Sequence, residues 1–107
     1  MEDTPFVDQR RSPRFRETNP LRLAIASEDY RAEYDAITTD HSLHGARIRT
    51  NISVSPGEIV EIIPEGDPEL RITARVVWMR GAEPNVAYFE GLEFLKPMTV
   101  PQLRRMS

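Results

Sequence analysis

Four arginines lie close together near the start of the chain, in the stretch Gln9–Glu17. A guanidinium group binds two phosphate oxygens at once, hydrogen-bonds the O6/N7 edge of guanine and stacks on purine faces. Pro13 disfavours a helix here, so Arg10 and Arg14, four residues apart, do not share a helix face. On a turning arm, both guanidinium groups can still close around one ligand. A ligand that carries phosphates and guanines would use every one of these interactions.

A second polar stretch, TTDHSLHG, falls where one predicted strand ends and the next begins. Asp40 and Ser42 are two residues apart, so in an extended chain their side chains point to the same side. Gly45 can adopt a positive φ or let a ligand approach the backbone closely. The stretch therefore offers a carboxylate, a hydroxyl and backbone amides in one place.

Each stretch has a simpler interpretation when it is taken alone. The arginines can be a basic arm of solvated charges, and Asp-x-Ser-x-x-Gly is typical of a turn in which Asp and Ser bond their own backbone. His41 and His44 make a poor metal site, because residues three apart on a strand face opposite sides and the chain has no other histidine. A Ser-His-Asp triad requires groups from separate segments to converge. We therefore expect no metal, no cofactor and no enzyme activity.

Composition limits the partners of these residues. The formal net charge of −3 at pH 7 argues against general binding to nucleic acid, single-stranded nucleic acid included, or to anionic lipid. The basic cluster is therefore a local feature. The sequence contains no apolar run of about 18 residues that could span a membrane and no cysteine, and its start lacks the apolar stretch of a secretory signal. We expect a cytoplasmic protein without membrane insertion.

Elements that could position these residues follow from the hydrophobicity pattern. Residues 1–19 are interrupted by prolines and predict a flexible N-terminal arm, and residues 97–107 predict a short C-terminal tail. Between them, six segments have the period-two pattern of strands and none has the pattern of a long helix. Their approximate starts are Leu21, Ala32, Ala46, Ile59, Leu70 and Val86. The pattern predicts an all-β fold, a small six-stranded antiparallel barrel over residues 20–96.

The clearest strand pattern lies in LRITARVVWMR, where one face is predicted to carry Leu70, Ile72, Ala74, Val76 and Trp78. Trp78 is therefore expected in the core, together with Leu23, Ile48 and Phe94. Tyr88 and Phe89 fit either a core or a ligand surface. Gly91 predicts a bulge or a point of close approach.

In this order and separation, the two polar stretches resemble the motifs of the PilZ domain family: Arg10-x-x-x-Arg14, then two strands, then Asp40-x-Ser42-x-x-Gly45. The segments Ala74–Trp78 and Gly91–Phe94 also resemble the fifth and sixth strands of the family's barrel. The resemblance covers residues 9–96. It implies a bacterial receptor for the second messenger cyclic di-GMP, whose N-terminal arm wraps the ligand against the barrel.

Site roles follow from the same resemblance. Arg10 and Arg14 would hold phosphate and guanine, with a further contact from Arg11, while Asp40 and Ser42 would read a guanine edge and Gly45 would leave room beside it. This division is chemically sound, because a carboxylate accepts from the guanine N–H groups and the cations serve its acceptors and the phosphates. His44 stands where many members have a small residue, and it can stack on a base or crowd the site.

Signalling through a partner is the further implication. A single domain without an output domain would act by presenting an altered surface to an effector protein. The alternative is a degenerate PilZ-like module that binds a protein and no nucleotide. The number of ligands bound per chain is left open by the motifs.

Overall fold

A sheet that closes on itself is the main feature of the computed structural model, which describes residues 18–28, 32–83 and 87–102. Its strands are β1 (Pro20–Ile25), β2 (Glu33–His41), β3 (Gly45–Thr50), β4 (Ile59–Pro64), β5 (Ile72–Glu83) and β6 (Ala87–Phe94). Neighbouring strands are antiparallel in the order β1-β2-β3-β6-β5-β4, and β4 pairs back with β1. The predicted six-stranded antiparallel barrel is confirmed. No helix within these ranges is both long and apolar enough to cross a bilayer.

Alternating apolar side chains fill the interior of the barrel, as a half-buried strand requires. Leu23 and Ile48 are fully buried and Phe94 nearly so, which confirms their predicted place in the core. The main inward residues of the other strands include Leu21, Val60, Ile62, Ile72, Ala74, Val76 and Leu92. Met98 lies in the predicted tail, yet it is also buried against this core, so the domain extends past the end of β6.

Trp78 is not in the core, and this prediction was wrong. A β-bulge between Val76 and Trp78 shifts the pairing of β5 with β6, so that Val76 pairs with Leu92 and Trp78 pairs with Gly91. Because the side-chain period of a strand is two, one extra residue moves every later side chain to the opposite face. Val76 points inward, whereas Val77 is exposed and Trp78 lies half-buried on the outside of the barrel.

A second bulge, in β2 between Thr38 and Asp40, has the same effect on the polar stretch. Thr38 pairs with Ile48 and is buried, and Asp40 pairs with Arg47, whose side chain is exposed. The bulge therefore turns the Asp40 carboxylate toward the outer surface of the barrel.

The entry of the chain into β1 lies beside this part of β2. The N–H of Thr38 donates to the carbonyl oxygen of Asn19 at 2.9 Å, and the N–H of Asn19 donates to Oγ1 of Thr38 at 3.0 Å. Thr18, the first described residue, consequently stands close to the Asp40 end of β2. Arg10, Arg11 and Arg14 lie outside the described residues, and the predicted arm stays a prediction.

Candidate functional site

Asp40 and Arg47 form an ion pair on the outside of the barrel. Asp40 Oδ2 lies 3.6 Å from Arg47 Nε, and the aspartate side chain is only 10% exposed. The separation exceeds hydrogen-bond length, and a carboxylate has about four lone-pair positions. The Asp40 carboxylate therefore lies beside Arg47 at the outer surface of the barrel.

Ser42 lies in the turn between β2 and β3, where its hydroxyl has a local role. The N–H of Ser42 donates to the carbonyl oxygen of Gly45 at 2.9 Å, and Oγ of Ser42 accepts from the N–H of His44 at 3.2 Å. The residue is 2% exposed. The simpler interpretation of the motif, a polar side chain that bonds its own backbone, thus describes Ser42. Its hydroxyl still has its own hydrogen to donate.

Gly45 is required by the packing of β3 on β6. A Cβ at this position would overlap the carbonyl oxygen of Leu92. Gly57, not Gly45, is the glycine with positive φ among the described residues. Of the two possibilities for Gly45, the positive φ does not occur, and the atom that approaches it closely belongs to the neighbouring strand.

Two backbone hydrogen bonds connect this turn to the end of β6 and to the residues that follow it. The N–H of Phe94 donates to the carbonyl oxygen of His44, and the N–H of Met98 donates to that of Leu43, both at 2.8 Å. The second polar stretch is thus fixed to the barrel before any ligand arrives.

Trp78 lies beside two guanidinium groups on the same outer surface. The central guanidinium carbons of Arg47 and Arg80 are 6.0 and 5.8 Å from the centre of the Trp78 ring, within the range of a cation–π interaction. The ring rests on Gly91, where any side chain would collide with the indole. This confirms Gly91 as a point of close approach.

A depression of about 320 Å³ is lined by Thr39, Asp40, Arg47, Arg80 and Phe89. It combines one carboxylate, two guanidinium groups and an aromatic ring. Such a set can accept hydrogen bonds from a base edge, bind phosphate and stack on a planar ring. We call Asp40, Arg47, Trp78, Arg80 and Phe89 the arginine–tryptophan face.

A larger depression of about 550 Å³ lies toward the other end of β2, near Pro20 and Ala87. Two acidic residues of its lining, Asp35 and Glu65, contact Arg22 at 2.8 and 3.8 Å. Asp40, Ser42 and Gly45, the described motif residues, are not among the residues that line it. The arginine–tryptophan face, which carries Asp40, is therefore the better candidate site.

The sequence analysis missed three residues of this face, Arg47, Trp78 and Arg80, whereas it left Phe89 open between the core and a ligand surface. Regular alternation placed Trp78 inside and Arg47 on the ordinary polar face of its strand, and it gave Arg80 no role. The feature of the sequence that could have indicated this face is Trp78, two positions before Arg80 in β5. These side chains lie on the outer surface only because of the bulge between Val76 and Trp78.

The family model described as PilZ domain matches residues 8–107 of the chain. This range includes both polar motifs and all six strands. None of the curated proteins compared with the chain matches it significantly.

Proposed function

Because this chain belongs to the PilZ domain family, we propose that it is a receptor for cyclic di-GMP, which binds between the N-terminal arginines and the arginine–tryptophan face. PilZ domains are in general cyclic di-GMP-binding adaptor modules rather than enzymes. The observation that carries the proposal is the convergence of Asp40 with two arginines and an aromatic ring beside the entry of the chain into β1.

Asp40 recognises guanine in this proposal. Its carboxylate accepts from the N1–H and the amino group of the base, which present two donors in a plane. In the ion pair with Arg47, 3.6 Å long, the arginine side chain is half-exposed, so its guanidinium can turn away while the donors of the base replace it at the largely buried carboxylate. Arg47 then turns to a phosphate, while Ser42 donates its hydroxyl hydrogen to an acceptor at the edge of the site.

Arg80 and Arg47 supply stacking and positive charge next to Trp78. A guanidinium plane held against an indole loses less freedom when it binds a ligand, because its position is already restricted. Trp78 thus positions two arginines for a purine or a phosphodiester. Phe89 adds an apolar wall to the same depression.

The N-terminal arginines are within reach of this face. Arg14 is four residues before Thr18, so its Cα lies at most about 14 Å from that of Thr18, which stands close to the Asp40 end of β2. Arg10 and Arg11 add charge-assisted bonds to the phosphates from the same segment. Ligand bound between this segment and the barrel changes the surface that an effector protein in the bacterial cytoplasm would meet.

Calorimetric titration tests the function. We expect saturable binding of cyclic di-GMP, much weaker binding of GMP, and recovery of the ligand unchanged, because the proposed site clamps two phosphodiesters and two bases and has no catalytic group. Asp40→Ala should also reduce the preference for cyclic di-GMP over cyclic di-AMP by about fivefold or more, since a paired contact to a base edge contributes about 1–3 kcal/mol of discrimination.

The matched control is Asp35→Ala, which removes an exposed carboxylate from the same strand. It should leave the discrimination between the two dinucleotides unchanged. Equal affinity for GMP and cyclic di-GMP would contradict the proposal. Absence of binding to either dinucleotide would favour the degenerate, protein-binding alternative.

Gly91→Ala tests the role of Trp78 without removing the indole. The added methyl group must displace the ring from β6, and with it the support of Arg47 and Arg80. We expect cyclic di-GMP affinity to fall about two- to tenfold, the equivalent of one or two exposed cation–π contacts. Trp78 is the single tryptophan of the chain, so its fluorescence reports the displacement directly.

Gly81→Ala provides the control, because a Cβ at that position of β5 meets nothing within 4 Å. It should preserve both the emission spectrum and the affinity. If Gly91→Ala alters the emission but not the affinity, Trp78 has no part in binding.

A further inference from the structure

Glu90 lies directly behind the arginine–tryptophan face. It stands in β6 between Phe89, which lines the depression, and Gly91, which supports Trp78. Its own side chain points the opposite way, into the barrel, and is 0% exposed. Neither carboxylate oxygen meets the geometric criteria for a hydrogen bond within the part of the chain that the structure describes, although the backbone N–H of Val54 lies near enough to stabilise the carboxylate in part.

The surroundings of Glu90 are mostly apolar. Its register partners are Ile48 in β3 and Met79 in β5. From β1 and β4 the barrel interior receives aliphatic side chains, among them Leu21, Leu23, Val60 and Ile62. An ionised carboxylate in such a place loses its hydration without gaining a counter-charge.

Titratable groups that face the interior with Glu90 are few. Buried His41 enters from β2, opposite Ala46, and Tyr88 occupies the next inward position along β6. The arginines of the described strands are all exposed: Arg22, Arg47, Arg49, Arg75 and Arg80. No cation from the described part of β1, β3, β4 or β5 therefore compensates a negative charge on Glu90.

Burial raises the pKa of Glu90 from 4.5 to about 7, and the backbone N–H of Val54 opposes part of this shift. The folded protein thus holds this proton more tightly than the unfolded chain does. Below a pH of 4.5, the pKa of this carboxyl group in the unfolded chain, Glu90 makes its full contribution to the free energy of unfolding. That contribution is lost progressively as the pH rises through about 7.

We propose that Glu90 is a positioning residue for the arginine–tryptophan face, and that loss of its proton weakens ligand binding at that face. The inference rests on the proposed function. The ionised carboxylate requires hydration. Water reaches it when the backbone of β6 moves at Phe89 and Gly91. Movement of these two residues shifts the wall of the depression and the support of Trp78. By linkage, the proton and the ligand then strengthen the binding of each other.

The experiment compares wild type with Glu90→Gln between about pH 5.5 and about pH 8.5, using melting temperature, Trp78 fluorescence of the ligand-free protein and cyclic di-GMP titration. For wild type we expect a change in emission centred near pH 7 and an affinity that falls about fivefold across it. Glu90→Gln should abolish both pH dependences. At about pH 8 it should melt about 5 °C or more above wild type, because it carries no buried charge.

Two control variants separate Glu90 from other titrating groups. Glu93→Gln removes the next carboxylate along β6, an exposed one paired with Arg75 at 2.6 Å, and His44→Gln removes the partly buried imidazole of the turn. Both should keep the wild-type pH profiles. If Glu90→Gln does not fold, infrared difference spectra of wild type between about pH 6 and about pH 8 should show loss of a protonated carboxyl band.

Unchanged pH profiles in Glu90→Gln, or the absence of that infrared band, would overturn the inference even if cyclic di-GMP binds well. Affinity that does not vary with pH, in a wild type whose emission does, would overturn it too. Failure of the proposed function has a different signature. In that case no variant binds cyclic di-GMP at any pH, and the emission and melting profiles still report whether Glu90 positions the face.

Discussion

Replacing Arg14 or Arg10 with alanine should weaken cyclic di-GMP binding by about ten- to a hundredfold. Each substitution removes charge-assisted hydrogen bonds that contribute about 1.5–3 kcal/mol. The melting temperature of the ligand-free protein should stay nearly the same, because the barrel core begins at Leu21. Isothermal titration calorimetry and thermal melts on the same samples measure the two quantities.

Arg71→Ala is the charge-matched control for these variants. Arg71 is half-exposed and pairs with Glu61 at 2.9 Å and Glu33 at 3.8 Å, away from the arginine–tryptophan face. Its loss changes the net charge by the same amount and should leave the affinity intact. If Arg71→Ala weakened binding as much as Arg14→Ala, the arginines would act through net charge rather than direct contact. Unfolding in Arg10→Ala or Arg14→Ala would instead make them structural.

Gly45→Ala is expected to lower the free energy of unfolding by about 1–3 kcal/mol. The new Cβ would overlap the carbonyl oxygen of Leu92, and a backbone atom within a paired strand cannot move aside as a side chain does. Overpacking of this kind costs about that amount. The melting temperature should therefore drop by about 4–8 °C for each kcal/mol in a domain of this size, as differential scanning calorimetry would measure.

Gly66→Ala is the control for the Gly45→Ala substitution. A Cβ at Gly66 meets nothing within 4 Å, and its backbone φ is not positive. This control should be neutral or stabilising by up to about 1 kcal/mol, since alanine reduces the entropy of the unfolded chain. A Gly45→Ala protein that melts like wild type but binds cyclic di-GMP poorly would show that the glycine serves ligand access and not strand packing.

The barrel was predictable because its strands obey simple alternation. In β1 the sequence PLRLAI places Leu21 and Leu23 inward by period two alone, and no bulge interrupts that strand. The predicted strand starts at Leu21 and Ile59 also lie within one residue of the observed starts of β1 and β4. In these segments the alternation of apolar and polar residues agrees with the fold, so the strands could be predicted from one sequence.

The outer surface was harder to predict because it depends on two bulges. In β5 the regular alternation of inward and outward side chains is interrupted by the bulge between Val76 and Trp78. The sequence does not indicate this bulge, because Val77 is as typical of a strand as its neighbours. Asp40 was identified from its motif, but its contact with Arg47 is a cross-strand relation that a linear pattern does not contain. Glu90 was missed for the opposite reason, because a charged residue in a strand is ordinarily assigned to solvent.

The two backbone hydrogen bonds from Phe94 and Met98 to the β2–β3 turn have a mechanical consequence. Both are 2.8 Å long, and a relative shift of about 1 Å would break them. The turn and the first residues after β6 must therefore move together or not at all. A displacement of the motif is transmitted to the segment between Phe94 and Met98, and a force on that segment acts directly on the motif.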